Sequence, residues 1–193
     1  GIRPDRAETG YGWLELTARA TEGSPPTPQS LRSFVEKPNI DAAEALLAGG
    51  LHLWNAGIFL FSTSTILQAF AEYAPETLAG VRGAHSTAET DLGFTRLAPK
   101  PWSELEDISI DYAVMERAPN LSVMPYSGAW SDLGDWQAIW REGEADAAGV
   151  VTSGPSTALD CKNTLLYATT ETQELGAMGL EDIIAVAMPD AVL

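Results

Sequence analysis

Apolar and polar positions change period several times along the chain, and each change marks an element. Residues 11–17 alternate, with Leu14 and Leu16 on one face and Trp13 and Glu15 on the other. That pattern predicts a strand with unequal faces. Residues 18–30 are rich in Gly, Pro, Ser and Thr and read as a surface loop. A second strand is predicted over 31–36, stopped by Pro38. Asn39 then stands where a helix cap belongs, ahead of a helix over 40–48. Asp41 and Glu44 lie near the positive end of that helix, and Gly49-Gly50 ends it. Residues 56–61 are apolar on both faces, which predicts a central strand of a covered sheet. Ile66, Leu67, Phe70 and Tyr73 form a helical stripe that Pro75 closes.

Further on the pattern weakens. A helix is predicted over 76–83, and 84–101, which ends in Pro99-Lys100-Pro101, reads mostly as loop. Residues 108–117 predict a helix with Ser109 as cap and Pro119 beyond its end. Residues 121–126 predict a strand that Pro125 keeps short or at an edge. Trp136, Ile139 and Trp140 share one helix face, which Gly143 terminates. Small residues dominate 143–158, the expected linker, and strands follow at 164–169 and 182–188 with no helix between them. The expected organisation is an α/β body over 1–142, a linker over 143–158 and a small β appendage over 159–193.

Composition narrows the function. The 193 residues are 45% hydrophobic and 20% charged, as in an ordinary globular chain. The formal net charge is −16, so the surface repels phosphate backbones and anionic lipids. We therefore expect no nucleic acid and no membrane among the partners. One lysine with one metal ion still suffices to hold a small phosphorylated ligand. A single cysteine, Cys161, rules out an intramolecular disulfide and agrees with a cytoplasmic location. The first residue is Gly, no signal segment follows it, and no apolar run approaches the ~20 residues of a spanning helix.

Neither common phosphate loop, Gly-x-Gly-x-x-Gly or Gly-x4-Gly-Lys-Ser/Thr, occurs. Four clusters instead place polar groups where structure alone favours apolar ones. Glu8-Thr9-Gly10-Tyr11-Gly12 opens the first strand; two glycines permit close backbone approach, and a carboxylate beside them can accept sugar hydroxyls. Taken alone, it is more simply a tight turn. Phe34-Val35-Glu36-Lys37-Pro38 puts a carboxylate and an ammonium group at a strand end, where α/β ligands bind. Taken alone, it is a solvated ion pair. Leu53-Trp54-Asn55-Ala56-Gly57 places an amide beside an apolar run, and there ligand and packing explanations balance. Trp130-Ser131-Asp132-Leu133-Gly134-Asp135-Trp136 offers Asp132 either as a helix cap or as a hard-cation ligand.

Taken together, the clusters resemble the sugar-1-phosphate guanylyltransferases, in particular the mannose-1-phosphate guanylyltransferase (GDP-mannose pyrophosphorylase) family. The segments that carry the resemblance are ETGYG at 8–12, FVEKP at 34–38, WNAGIFLF at 54–61, SIDYAVME at 109–116 and GAWSDLGDW at 128–136. Residues 181–193 resemble the β segment that follows in the family. Ala56 stands where the family usually has Ser, and Ala129 separates Gly128 from Trp130. The family's Gly-rich nucleotide loop and its following acidic residue are missing. The resemblance therefore implies the C-terminal part of the nucleotidyltransferase domain. Its fold would be the second half of a Rossmann-like (GT-A-like) mixed sheet flanked by helices, with a small C-terminal β segment.

What the resemblance implies can be placed residue by residue. Glu8 and the backbone of Gly10, Tyr11 and Gly12 would lie at the sugar, and Glu36 would hold its hydroxyls. Lys37 would bind the sugar phosphate, Asn55 and Gly57 would line the sugar pocket, and Asp132 would coordinate Mg²⁺. Asp111 and Tyr112 would be structural or pocket-lining. The implied reaction joins mannose 1-phosphate and GTP into GDP-mannose and pyrophosphate, with a homodimer or higher oligomer as the expected assembly. Glucose-1-phosphate uridylyl- or thymidylyltransferases keep the chemistry with another sugar or base. A non-catalytic sugar-phosphate-binding or regulatory module is the alternative of a different class.

Overall fold

The computed structural model describes residues 1–19, 27–170 and 172–193, which form two compact units, Gly1–Gly128 and Ala129–Leu193. The division falls ahead of the last helix, earlier than the body ending at residue 142 that composition suggests. Most of the expected loop over 18–30 lies outside the described residues.

The first unit is built on a short, twisted sheet. Strand β1, Trp13–Leu16, pairs antiparallel with β2, Gln29–Val35, and the next element is helix α1, Ile40–Gly49. The Asn39 side chain accepts the N–H of Ala42, and Gly50, at φ +65°, closes the other end by donating to the Leu47 carbonyl. Strand β3, His52–Trp54, returns antiparallel on the far side of β1. Helices α2, Thr63–Tyr73, and α3, Pro75–Ser86, follow; Ser62 caps the first, and Pro75 opens the second.

Strands β4, Glu89–Asp91, and β5, Phe94–Arg96, then make a hairpin, before the short helix α4, Pro99–Ser103. Leu92 and Gly93, both at positive φ, form its two-residue turn, the backbone that a right-twisted hairpin favours. The loop expected over 84–101 is therefore largely ordered. A single π turn, Asp111–Met115, leads to β6, Ser122–Val123, which lies against β2 as an edge strand. The sheet order is β3-β1-β2-β6. Among the described residues every pairing between its strands is antiparallel, and parallel contact enters as an isolated bridge from Ile2 to Tyr126.

β1 is covered on both faces, with Trp13 as fully buried as Leu14 and Leu16 on the opposite side. Leu14, Leu16, Leu53 and Val123 pack as one cluster, with Leu31 and Phe34 against it. A second cluster gathers Ala113, Val114 and Met115 of the π turn with Phe34, Phe59, Phe70 and Tyr73. The strand expected over 56–61 does not form. The Asn55 side chain accepts the N–H of Gly57, and Gly57 at φ +66° turns the chain off the line of β3. Ile58 and Leu60 are consequently exposed, at 80% and 101%, while Phe59 packs inward.

The second unit begins with helix α5, Trp136–Glu142, capped by the Asp135 carboxylate, which accepts the N–H of Ala138 at 2.6 Å. Five strands follow: β7, Val150–Ser153; β8, Ser156–Leu159; β9, Thr164–Ala168; β10, Leu175–Met178; and β11, Ile184–Ala187. β9 pairs in parallel with β7 and β11, and β10 pairs in parallel with β8, so the chain winds as a two-sheet solenoid. β7 lies inside the segment expected as a linker, and β8 begins within it. Val150, Val151, Leu165, Leu166 and Val186 fill the interior. Gly149, Asn163 and Asp182, all at positive φ, occupy equivalent corners ahead of β7, β9 and β11, and the Asn163 amide donates to the Asp182 carboxylate.

Candidate functional site

The register of β1 brings three strand ends to one rim. Trp13 stands opposite Val35 on β2 and Trp54 on β3, so Gly12, Glu36 and Asn55 each lie one step beyond the paired residues. The Asn55 backbone N–H donates to the Gly12 carbonyl at 2.7 Å. A Cβ on Gly12 would fall 2.5 Å from Glu36 Oε2 and 3.2 Å from Asn55 Cβ, so no larger residue fits without displacing them.

Glu36 is the electrostatic centre of this rim. Its side chain is only 8% exposed, Oε1 lies 3.6 Å from Lys37 Nζ, and buried Oε2 has no hydrogen-bond partner. Burial pushes its carboxyl above the usual carboxylate range, and nearby Asp111 pushes the same way; Lys37 only partly offsets them. A buried acceptor without a donor is costly, and an incoming hydroxyl would satisfy it. Lys37 follows at φ +46°, a strained conformation for a non-glycine residue, with its side chain more than half exposed.

Asn55 is held on both sides of its amide: Nδ2 donates to Asp111 Oδ1 at 2.9 Å, and Oδ1 accepts the Gly57 N–H at 3.0 Å. Nothing crowds the place of a Gly57 Cβ, so positive φ rather than close approach explains that glycine. Glu116 accepts the backbone N–H of Glu36 at 3.2 Å.

The opening segment takes another part. Glu8 accepts the Gly10 N–H and the Arg6 guanidinium, and its carbonyl accepts Trp13 Nε1–H. Tyr11 is buried, its ring edge-on to Trp54 at 5.3 Å, and Arg6 lies over the Trp54 ring at 4.6 Å. Glu8, Gly10 and Tyr11 thus brace the start of β1, while Gly12, Glu36, Lys37, Asn55 and Gly57 make the rim. Arg6 and Glu116 carry contacts that the sequence pattern did not single out. Glu116 had a signal: it ends SIDYAVME five residues after Asp111, off the spacing of an α-helical face.

Asp132 belongs to the second unit. Its Oδ1 accepts the Gly134 N–H at 3.0 Å, in a turn that holds Leu133 at φ +51°. Asp135, not Asp132, caps α5, which corrects the cap alternative. Among the described residues no three His, Cys, Asp or Glu side chains gather as a metal site. One carboxylate fits Mg²⁺ only where phosphate oxygens and water supply the other ligands.

The raised Glu36 carboxyl sets a pH dependence. Folding favours its protonated form, so its contribution to stability is complete below the unfolded value near 4.5 and is lost as pH rises through the folded value. Glu36→Gln should accordingly melt higher than the parent at pH 7, with the difference shrinking towards pH 4. Melting temperatures measured across that range check it; a constant difference would contradict it.

Comparison with known proteins places these features. The chain is 40% identical over 192 residues to a mannose-1-phosphate guanylyltransferase of Sinorhizobium fredii. It is 34% identical over 193 residues to the Escherichia coli K12 protein of the same name, and 35% identical over 193 to the xanthan biosynthesis protein XanB of Xanthomonas campestris. Each match takes in all of this chain but only 36%, 40% and 39% of those relatives, so the chain spans about two fifths of their length. A crystal structure described as mannose-1-phosphate geranyltransferase from Thermus thermophilus superposes on the whole chain and 53% of its own, with TM-score 0.80 and 29% identity. A second, described as mannose-6-phosphate isomerase from Helicobacter pylori, covers 68% of this chain and 50% of its own, with TM-score 0.58 and 27% identity. Among the described residues no helix is long and apolar enough to cross a membrane. The model of the family described as nucleotidyl transferase matches residues 1–149, which takes in both the rim and the Asp132 turn, and the chain belongs to that family.

Proposed function

We propose that this chain serves a mannose-1-phosphate guanylyltransferase and contributes the sugar-phosphate-binding part of its nucleotidyltransferase domain. The observation that carries the reading is the partnerless, buried Oε2 of Glu36, set between Gly12, Lys37 and Asn55. The antiparallel sheet that carries the rim supports the sugar side of the domain over the nucleotide side. The names borne by the relatives support the sugar and the base.

In the proposed reaction a phosphate oxygen of mannose 1-phosphate attacks the α-phosphorus of GTP. A new P–O bond forms, the bond to the β-phosphate oxygen breaks, and pyrophosphate leaves with that electron pair. The nucleophile is already anionic, so the work falls to positioning and charge. Lys37 offsets the sugar phosphate, Glu36 accepts sugar hydroxyls, and Asn55 and Gly57 shape the pocket wall. Gly12 leaves the space in which Glu36 faces the ligand, with Glu8, Gly10 and Tyr11 holding that strand start in place. Asp132 would hold Mg²⁺, which when bound supplies positive charge to the phosphates. A cytoplasmic location and a homodimer or larger assembly belong to the same proposal, the latter supported by exposed Ile58, Leu60 and Phe61.

Calorimetric titration of this chain tests the proposal. Mannose 1-phosphate should bind more tightly than mannose, inorganic phosphate or glucose 1-phosphate. Preference for glucose 1-phosphate would move the reading to another sugar-1-phosphate nucleotidyltransferase, and no sugar-phosphate binding would overturn it. For Asp132 the readout is GDP-mannose affinity with and without Mg²⁺. The ion should strengthen binding about tenfold, the effect of one good charge contact. Asp132→Asn should abolish that gain; a variant that kept it would leave Asp132 a turn-former only.

A further inference from the structure

SIDYAVME contains two carboxylates, Asp111 and Glu116, that the proposed reaction does not use. Their backbone joins them directly: the Glu116 N–H donates to the Asp111 carbonyl at 2.9 Å, an i to i+5 bond that closes the π turn. In an α-helix residues five apart stand about 140° apart around the axis. One widened turn brings them back towards a common side, and such bulges concentrate at functional sites. Here the two side chains reach two strand ends: Asp111 takes the Asn55 amide beyond β3, and Glu116 takes the Glu36 N–H beyond β2. Between those ends lies Gly12. Ala113, Val114 and Met115 anchor the turn in the apolar cluster, so the clasp rests on packed material.

We propose that the π turn is a positioning device, in which Asp111 sets the orientation of the Asn55 amide and Glu116 sets the Val35–Glu36 peptide. An ionised carboxylate only accepts. Asp111 therefore draws the Asn55 NH₂ group to itself and leaves Oδ1 for the Gly57 N–H, fixing which end of the amide faces which neighbour. An amide at position 111 would allow the flipped pair as well. Glu116 fixes the Val35–Glu36 peptide, from which the Glu36 side chain and then Lys37, at positive φ, continue. The arrangement keeps two carboxylates close to Glu36, and both raise its pKa. Packing alone would not select acidic groups there; a fixed set of acceptors does. The positioning of a sugar-phosphate pocket rests on the function proposed above, whereas the clasp itself does not.

Two measurements on the 193-residue chain separate those claims. In hydrogen exchange, Asp111→Ala should speed exchange of the Gly57 amide about tenfold, and Glu116→Ala that of the Glu36 amide, with β1 amides unchanged. In calorimetry, each variant should bind mannose 1-phosphate about tenfold more weakly, the loss of one well-placed hydrogen bond. Asp111→Ala added to Asn55→Ala should cost nothing further, since the first acts through the second. Asp111→Asn and Glu116→Gln retain an acceptor oxygen and should recover most of the affinity; they also serve where an alanine variant does not fold. Unchanged exchange at both amides would overturn the clasp whether or not ligand binds. Clasp-dependent exchange in a chain that never binds mannose 1-phosphate would overturn only the sugar reading. Binding that is unmoved by either alanine variant, or full additivity in the double variant, would overturn the positioning role.

Discussion

Gly154→Ala is expected to unfold the second unit of this chain. Gly154 sits at φ +69° in the turn between β7 and β8, and a Cβ there would run into the backbone carbonyl oxygen of Ala168. Left-handed backbone costs alanine about 1 kcal/mol. The clash adds about 1–3 kcal/mol or more, because the obstacle is main chain within β9 rather than a flexible side-chain tip. Marginal stabilities of ~0.05–0.15 kcal/mol per residue leave a unit of this size little margin. Denaturant titration followed by hydrogen exchange in β7, β9 and β11 should show their protection lost. Gly176→Ala is the matched control: nothing lies near its Cβ position and its φ is ordinary, so its effect should stay within about 0.5 kcal/mol. If Gly154→Ala kept the protection of those strands, the solenoid winding would be wrong at that turn.

The largest expected effect on ligand binding comes from Lys37→Met. Methionine keeps the length and apolar stem but removes the only ammonium group against Glu36 among the described ion pairs. A charge-assisted contact to phosphate is worth about 1.5–3 kcal/mol, so mannose 1-phosphate affinity should fall by one to two orders of magnitude. Lys37→Arg keeps the charge with different reach and donor geometry and should lie between. Melting temperature should hardly move, because the side chain is more than half exposed and methionine inherits the same backbone strain. Weaker binding by more than tenfold at constant melting temperature is the supporting result. Unchanged affinity would remove Lys37 from the proposed phosphate site.

Much of this molecule was legible in its sequence where local chemistry decides the outcome. Asn39 before 40–48 and Gly50 after it are self-contained signals, and α1 forms between them. The same holds for β1, β2 and α2, where alternation or a helical stripe coincides with capping and proline stops. Glu36, Lys37 and Asn55 could be picked out because polar groups at strand ends need a reason, and their shared rim follows from β1 register. Residues 56–61 show the opposite case. An apolar run specifies burial only if something covers it, and a turn at Gly57 removes the ladder on which the expectation rested. The hairpin at 89–96 depends on Leu92 adopting positive φ, which its residue type does not advertise. The strands that begin within 143–158 escaped notice because they pair with β9 and β10 further along the chain. The π turn replaced an expected α-helix for a related reason, since one shifted hydrogen bond changes which side chains share a side and leaves composition untouched.

The corner ladder of Gly149, Asn163 and Asp182 has an evolutionary consequence. Each coil of the solenoid presents its neighbour with a strand and a left-handed corner in repeating positions, and contacts run between adjacent coils. Inserting or deleting a whole coil would therefore conserve the interface offered to the next one, whereas a shift of one or two residues would break it. Selection can lengthen or shorten such an element in quantised steps. The rim of Gly12, Glu36 and Asn55 is drawn entirely from the first unit, so coil number and the chemistry of that rim are separate targets for divergence.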